Sequence, residues 1–163
     1  PFLEHILHRF LGHELSIQTL FKREHMTHHR VRDFFAPAIY KFAMAVLVLG
    51  SIVLLGYVLN LKIVIQFYVG GILLSYLFYE WLHYQFHVSA PKTSLGHKLR
   101  KHHFSHHFKN TKYNYGVTTV FFDRLFKTYK DPEQVVVPKA FAMGWLVDAN
   151  GEIKQYYKED YRY

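Results

Sequence analysis

The sequence predicts an all-α integral membrane protein, a transmembrane helical hairpin with a histidine-rich helical cap on its cytoplasmic face. Three observations predict it: two long uncharged apolar runs, 13 histidines confined to windows on either side of those runs, and no cysteine. The 163 residues leave room for a single membrane-embedded domain, 1–163. Half are apolar and 18% aromatic, which excludes a disordered or collagen-like chain. The mean hydropathy of -0.05 averages the apolar runs with very polar flanks.

The first run, 42–59, reads FAMAVLVLGSIVLLGYVL, 18 residues without a charge, and as a helix it spans roughly 27 Å, about one bilayer core. The second, 63–79, reads IVIQFYVGGILLSYLFY, and only Asn60-Leu61-Lys62 separates the two. Both lengths sit at the low end for spanning, so a pair of buried helices in a soluble protein is the alternative. Charge placement favours the hairpin. Lys62 is alone on the tip side while the other 19 of the 20 Lys and Arg lie on the opposite side, which the positive-inside rule makes cytoplasmic. Tyr40, Tyr79 and Trp81 suit the interfacial belt, Lys41 can snorkel, and Gly50, Gly56, Gly70 and Gly71 offer sites of close helix approach.

Upstream, Phe2, Leu3, Ile6, Leu7, Phe10 and Leu11 recur at helical spacing and predict a helix over 2–20. Read as the end of a spanning segment whose start is missing, it makes the sequence a fragment shortened at its N-terminus. Residues 31–41 read as an interfacial connector. Downstream, Thr118 is the expected cap of a short helix through Tyr129, and Asn150-Gly151 marks a two-residue hairpin in a tail that caps the cytoplasmic side. Asp148, Asn150 and Glu152 are too few for a calcium loop.

Without cysteine there is no disulfide, thiolate chemistry, iron–sulfur cluster or Cys-ligated zinc, so any metal is held by nitrogen or oxygen. The histidines fall within 5–29 and 83–107, and ten form four groups: His8-RFLG-His13, His25-MT-His28-His29, His83-YQF-His87 and His103-FS-His106-His107. Residues i, i+3 and i+4 share a helix face, so each HxxHH group can aim its imidazoles at one point, as can His83 and His87. His8 and His13, five apart, need a helix end, a π-bulge or two metals between them. Two metals of roughly six ligands each would leave about two positions for oxygen or water. Imidazole suits iron, zinc, copper and nickel alike. The opposing reading, a solvated basic surface or an adventitious zinc site, fits one HxxHH group but not four groups bracketing a hairpin. His5, His97 and His102 read as surface or supporting residues, with His102 the first candidate for an extra ligand and Glu80 for a carboxylate behind a ligand.

The order HxxxxH, HxxHH, hairpin, HxxxH, HxxHH resembles the fatty acid hydroxylase and sterol desaturase superfamily. EWLHYQFH, LRKHHFSHHFKN and YGVTTVFFDRLFKTY resemble its fatty acid 2-hydroxylase branch in particular. The resemblance implies two iron ions that activate O2 and insert one oxygen atom into an unactivated C–H bond of a membrane lipid, at C2 of a fatty acyl or sphingolipid chain. It implies His8, His13, His25, His28, His29, His83, His87, His103, His106 and His107 as the metal ligands. Zinc in a purified sample would be a substitute. No cytochrome b5 domain is attached and the usual upstream helices are absent, so electrons come from a separate cytochrome b5-like or ferredoxin-like donor. The short chain without fused domains points to a multi-pass protein of the bacterial inner membrane rather than the endoplasmic reticulum. A carotenoid ring hydroxylase or a sterol oxidase or desaturase shares the pattern. From other classes, a haem-binding electron-transfer subunit is disfavoured because 42–79 holds no histidine, and a zinc-stabilised scaffold remains a rival.

Lys98, Arg100, Lys101, Lys109 and Lys112 either dock an acidic carrier or anionic headgroups, or set topology. Nucleic-acid binding is disfavoured, since no recognition module accompanies the formal +8. Tyr113, Tyr115 and Phe121 are weaker candidates for lining substrate access.

Overall fold

The computed structural model describes residues 1–31 and 33–163, and Lys62 by its backbone alone. Arg32 of the connector and the Lys62 side chain, to which a tip position was assigned, lie outside the described residues. The chain is mostly helical and divides into two compact units, Phe35–Phe78 and Pro1–Phe34 with Tyr79–Tyr163.

In the first unit, α3 runs Ala38–Val58 and is followed by α4, Lys62–Val88. Both are long and apolar enough to cross a membrane, and none of either apolar window is buried. Val58 and Ile63 are each 71% exposed and Phe67 79%, around helices with no polar face. A soluble core helix hides one face against protein, whereas helices apolar on all sides are satisfied by lipid. The turn closes as a Schellman motif: Asn60 takes the left-handed conformation (φ 58°), its amide donates to the Tyr57 carbonyl, and Leu61 N–H donates to Gly56 O at 2.8 Å. Gly56 lets the helices touch, since a Cβ there would lie 2.0 Å from Ile65 Cγ1. Gly50, Gly70 and Gly71 have open space instead, so of the four glycines only Gly56 serves close approach.

The second unit begins with α1, Phe2–Ile6, which tightens no further but widens into a π-helix over Leu7–Glu14. The expected single helix over 2–20 therefore stops at Glu14, where Lys22 Nζ donates to the His13 and Leu15 carbonyls that the helix end leaves unpaired. After an extended stretch, α2 (Leu20–Arg30) starts at Thr19, whose hydroxyl accepts from Lys22 N–H at 3.0 Å. Helix α5, Ser94–Phe108, starts likewise at Thr93, which accepts from Gly96 N–H. Thr118 caps no helix: its hydroxyl donates to Glu4, and only Phe121–Leu125 (α6) is helical.

The tail packs on α5. Strands β1 (Val135–Val136) and β2 (Tyr161–Arg162) pair in parallel, and Val135, Val137, Leu146 and Tyr161 join Phe86, Leu99 and Phe104 in the core. The Asn150-Gly151 turn is a three-residue loop rather than a two-residue one: Asp148 N–H donates to Glu152 O and Gly151 alone takes positive φ (77°). One contact from the tail and one from α5 fix the C-terminal turn of α4. Trp145 Nε1–H donates to Phe86 O at 3.1 Å, and buried Arg100 donates to Gln85 O at 3.0 Å. Both carbonyls belong to the last turn, where Gln85 O also accepts from Ser89 N–H at 3.1 Å.

Candidate metal centre

α4 continues unbroken past Tyr79, so His83 and His87 project from the helix that begins as an apolar span. On α2 and α5 the HxxHH spacing sets two faces at once. Residues four apart lie about 40° apart, but neighbours lie about 100° apart. His25 and His29 therefore turn one way and His28 the other, and α5 repeats this with His103 and His107 against His106.

The result is two groups of five, with ligand atoms within 4.8 Å of one another: His8, His13, His25, His29 and His106, and His28, His83, His87, His103 and His107. The expectation that each HxxHH triplet aims at one point is corrected, since each triplet serves both clusters. The clusters adjoin where the rings of His29 and His107 stack, centroids 4.0 Å apart. The π-helix answers the spacing of His8 and His13. Closing the backbone ring at i+5 brings both onto one face, with ring centroids 5.3 Å apart. Gly12 leaves them room, because a Cβ there would meet His25 Cδ2 at 3.0 Å.

Neighbouring Nε2 atoms lie 2.8 Å apart for His13 and His25, 3.0 Å for His8 and His106, His13 and His106, and His25 and His29, and 3.1 Å for His87 and His103. Nitrogens about 2.1 Å from a first-row ion are separated by about 3 Å when adjacent in a six-coordinate shell. The tautomers make the fit sharper. His8 Nδ1–H donates to Tyr115 O at 2.5 Å, His106 Nδ1–H to Tyr113 O at 2.7 Å, and His28 Nδ1–H to Phe34 O at 2.8 Å. With both outer protons spent on carbonyls, His8 and His106 face each other through Nε2 lone pairs, an arrangement that a bound cation satisfies.

Burial, then the neighbouring imidazoles, push the basicity of His8, His25, His103, His106 and His107 well below the ordinary histidine value. His29 is lowered for the same reasons, and burial followed by Lys22 lowers His13 to about 4. The rings are thus neutral near pH 7, the form that binds metal.

Access differs between the clusters. A cavity of about 800 Å³ opens beside His13, lined among others by Lys22, Arg30, Met26, Thr111 and Lys112. At cluster two a narrow slot between Val31, Phe108, Phe141 and Met143 reaches His28, His87 and His107.

The sequence model of the family described as fatty acid hydroxylase matches residues 1–128. The chain belongs to the fatty acid hydroxylase family. Among the hydroxylase family's members, it is 33% identical over 135 residues to a dihydroceramide fatty acyl 2-hydroxylase of Arabidopsis thaliana, covering 77% of this chain and 55% of that protein. It is 30% identical over 144 residues to the fatty acid 2-hydroxylase of Mus musculus, covering 78% and 36%. To the ceramide very long chain fatty acid hydroxylase of Schizosaccharomyces pombe it is 30% identical over 135 residues, covering 77% and 38%. The chain thus spans from about a third to just over half of these relatives' length. No solved structure matches it.

All ten histidines singled out from this family's pattern stand in the two clusters. His102 does not: its Nε2–H donates to Asp123 Oδ2 at 3.0 Å and its ring stacks on Tyr129. His5 is buried against Phe126 and Tyr115, and His97 donates to Asp160 at 2.8 Å. Glu80 sits half-buried one turn before His83. The carboxylate that takes up a histidine behind the clusters is Asp123, which the sequence reading missed. Its signal was a lone acid inside the aromatic run VFFDRLF. Glu4 was missed too; it accepts from the amides of Val117 and Thr118 at 2.6 and 3.0 Å. Tyr115 lines the cavity beside His13 and also gives its carbonyl to His8, whereas Tyr113 contributes a carbonyl only and Phe121 is 60% exposed. Of the five cations read as serving either docking or topology, Arg100 is buried, Lys101 is paired with Asp160 and Lys109 with Glu133.

Proposed function

We propose that this chain performs the O2-dependent hydroxylation of a lipid acyl chain, fatty acid or sphingolipid, at C2, with one iron ion in each five-histidine cluster. Five nitrogens per cluster leave each six-coordinate ion one position short, as a catalytic metal requires. Bound iron supplies the one-electron chemistry with dioxygen that no side chain in this chain can provide. Overall, the substrate C–H, O2, two electrons and two protons yield the C–OH product and water, the electrons coming from a separate cytochrome b5-like or ferredoxin-like donor. The protein's own part is to keep buried imidazoles such as those of His8, His25, His103 and His106 neutral, and to aim His106, His8 and His28 through the carbonyls of Tyr113, Tyr115 and Phe34. The cytoplasmic face, where the Lys and Arg residues gather, is the side proposed for the centre.

The observation that carries this reading is the facing of the His8 and His106 lone pairs at 3.0 Å within a chain whose relatives are named as 2-hydroxylases. The test is iron-loaded protein in lipid with a reductant and 18O2: one 18O atom appears at C2 of the product. His87→Ala and His106→Ala abolish product while the chain still inserts, since neither change alters an apolar run. Turnover by either variant at the unsubstituted rate refutes the reading. Stoichiometric zinc with no oxygen uptake after iron loading indicates the scaffold instead, since zinc has no redox chemistry.

A further inference from the structure

Asp123 is fully buried on α6, and its two oxygens take four donors. Oδ1 accepts from Tyr115 N–H at 2.9 Å and Thr128 Oγ1–H at 2.8 Å, and Oδ2 from Gly116 N–H at 2.7 Å and His102 Nε2–H at 3.0 Å. That fills the carboxylate's acceptor capacity. The Gly116 N–H and the Tyr115 C=O are the two ends of one peptide group. Its N–H ends on Asp123 and its C=O accepts the His8 Nδ1–H at 2.5 Å. A Cβ at Gly116 would lie 2.9 Å from Asp123 Oδ2 and 2.1 Å from Thr119 O, so glycine is what lets the carboxylate reach this amide.

We propose that Asp123 is a positioning residue for cluster one, acting on His8 through the Tyr115–Gly116 peptide as a carboxylate–peptide–imidazole relay. An anion on the N–H of a peptide polarises it and strengthens its carbonyl as an acceptor. The ring behind that carbonyl is held in one tautomer and made a better donor at its other nitrogen, the effect that a direct carboxylate has on a metal-binding histidine. His106 provides the internal contrast. Its Nδ1–H also meets a carbonyl, Tyr113 O, but the amide of that peptide, Asn114 N–H, ends on the neutral Thr128 carbonyl at 2.9 Å. The bond to His8 is the shorter of the two, 2.5 against 2.7 Å.

The inference rests on the reading of cluster one as a metal site, and the experiment separates the two. In metal-free protein with 15N-labelled histidine, both rings are expected as Nδ1–H tautomers, with the His8 Nδ1 proton further downfield than that of His106. Equal or reversed shifts overturn the relay, with no variant and no metal needed. With cobalt(II) as probe, Asp123→Asn weakens cluster one by about 10–100-fold and leaves cluster two unchanged. Glu4→Gln, which removes the charge facing the next two amides of the same loop but touches no peptide that reaches an imidazole, leaves both affinities as they were. Equal weakening by Glu4→Gln, or none by Asp123→Asn, reduces Asp123 to a structural support and overturns the proposal. If the unsubstituted chain binds no cobalt, the metal reading fails while the proton shifts still decide the relay.

Discussion

Gly116 shows how much of the centre depends on single atoms away from the imidazoles. Ala at this position drives a methyl against the Thr119 carbonyl, 2.1 Å from where it would sit, so the loop must move. We expect Gly116→Ala to cost about 1–3 kcal/mol, read as a lowered melting temperature in detergent. Asp123→Ala strands four buried donors and is expected to cost about 3–5 kcal/mol, more than any cluster histidine removed from metal-free protein. The titrating groups give a sign as well. His13 binds its proton near pH 6.5 when unfolded and near 4 when folded, so the unfolded chain binds more protons between these values. Metal-free protein should keep its full stability above pH 6.5 and lose it progressively as the pH falls towards 4. A melting temperature that rises on acidification from 7.5 to 5 contradicts the burial of these rings as neutral bases.

Among the elements, α4 and the π-helix carry the geometry. The last turn of α4, which carries His87, is tied through its carbonyls to Arg100 and Trp145. Trp145→Phe keeps the packing and loses the hydrogen bond, with an expected cost of about 1 kcal/mol and faster metal loss from cluster two than from cluster one. Much here was legible beforehand. The four histidine groups, the hairpin and the need for a special backbone between His8 and His13 follow from spacing, because side-chain direction on a helix repeats with fixed period. The exchange of partners between HxxHH groups was not legible, since 3.6 residues per turn says which residues share a face but not which neighbour that face meets. Thr118 was misplaced for a similar reason: a hydroxyl before an aromatic run looks like a cap until a distant Glu4 takes it.

At the scale of the molecule, the absence of cysteine makes topology directly measurable. Single cysteines introduced as Lys62→Cys and Lys98→Cys should react with impermeant maleimide from opposite sides of the membrane; labelling from one side removes the hairpin. By itself, the sequence determined the helical class, the two apolar helices, and which ten histidines gather, because hydrophobic run length and residue period are local properties. Only the tertiary structure decided that the ten divide into two sets of five, that the 113–116 loop supplies the carbonyls behind His8 and His106, and that Asp123 anchors that loop. The division of the ten and the His8–Tyr115 bond join residues about a hundred positions apart, while the bonds of His106 and Asp123 to the loop span only seven; in both cases packing chooses the partner, which no local pattern encodes.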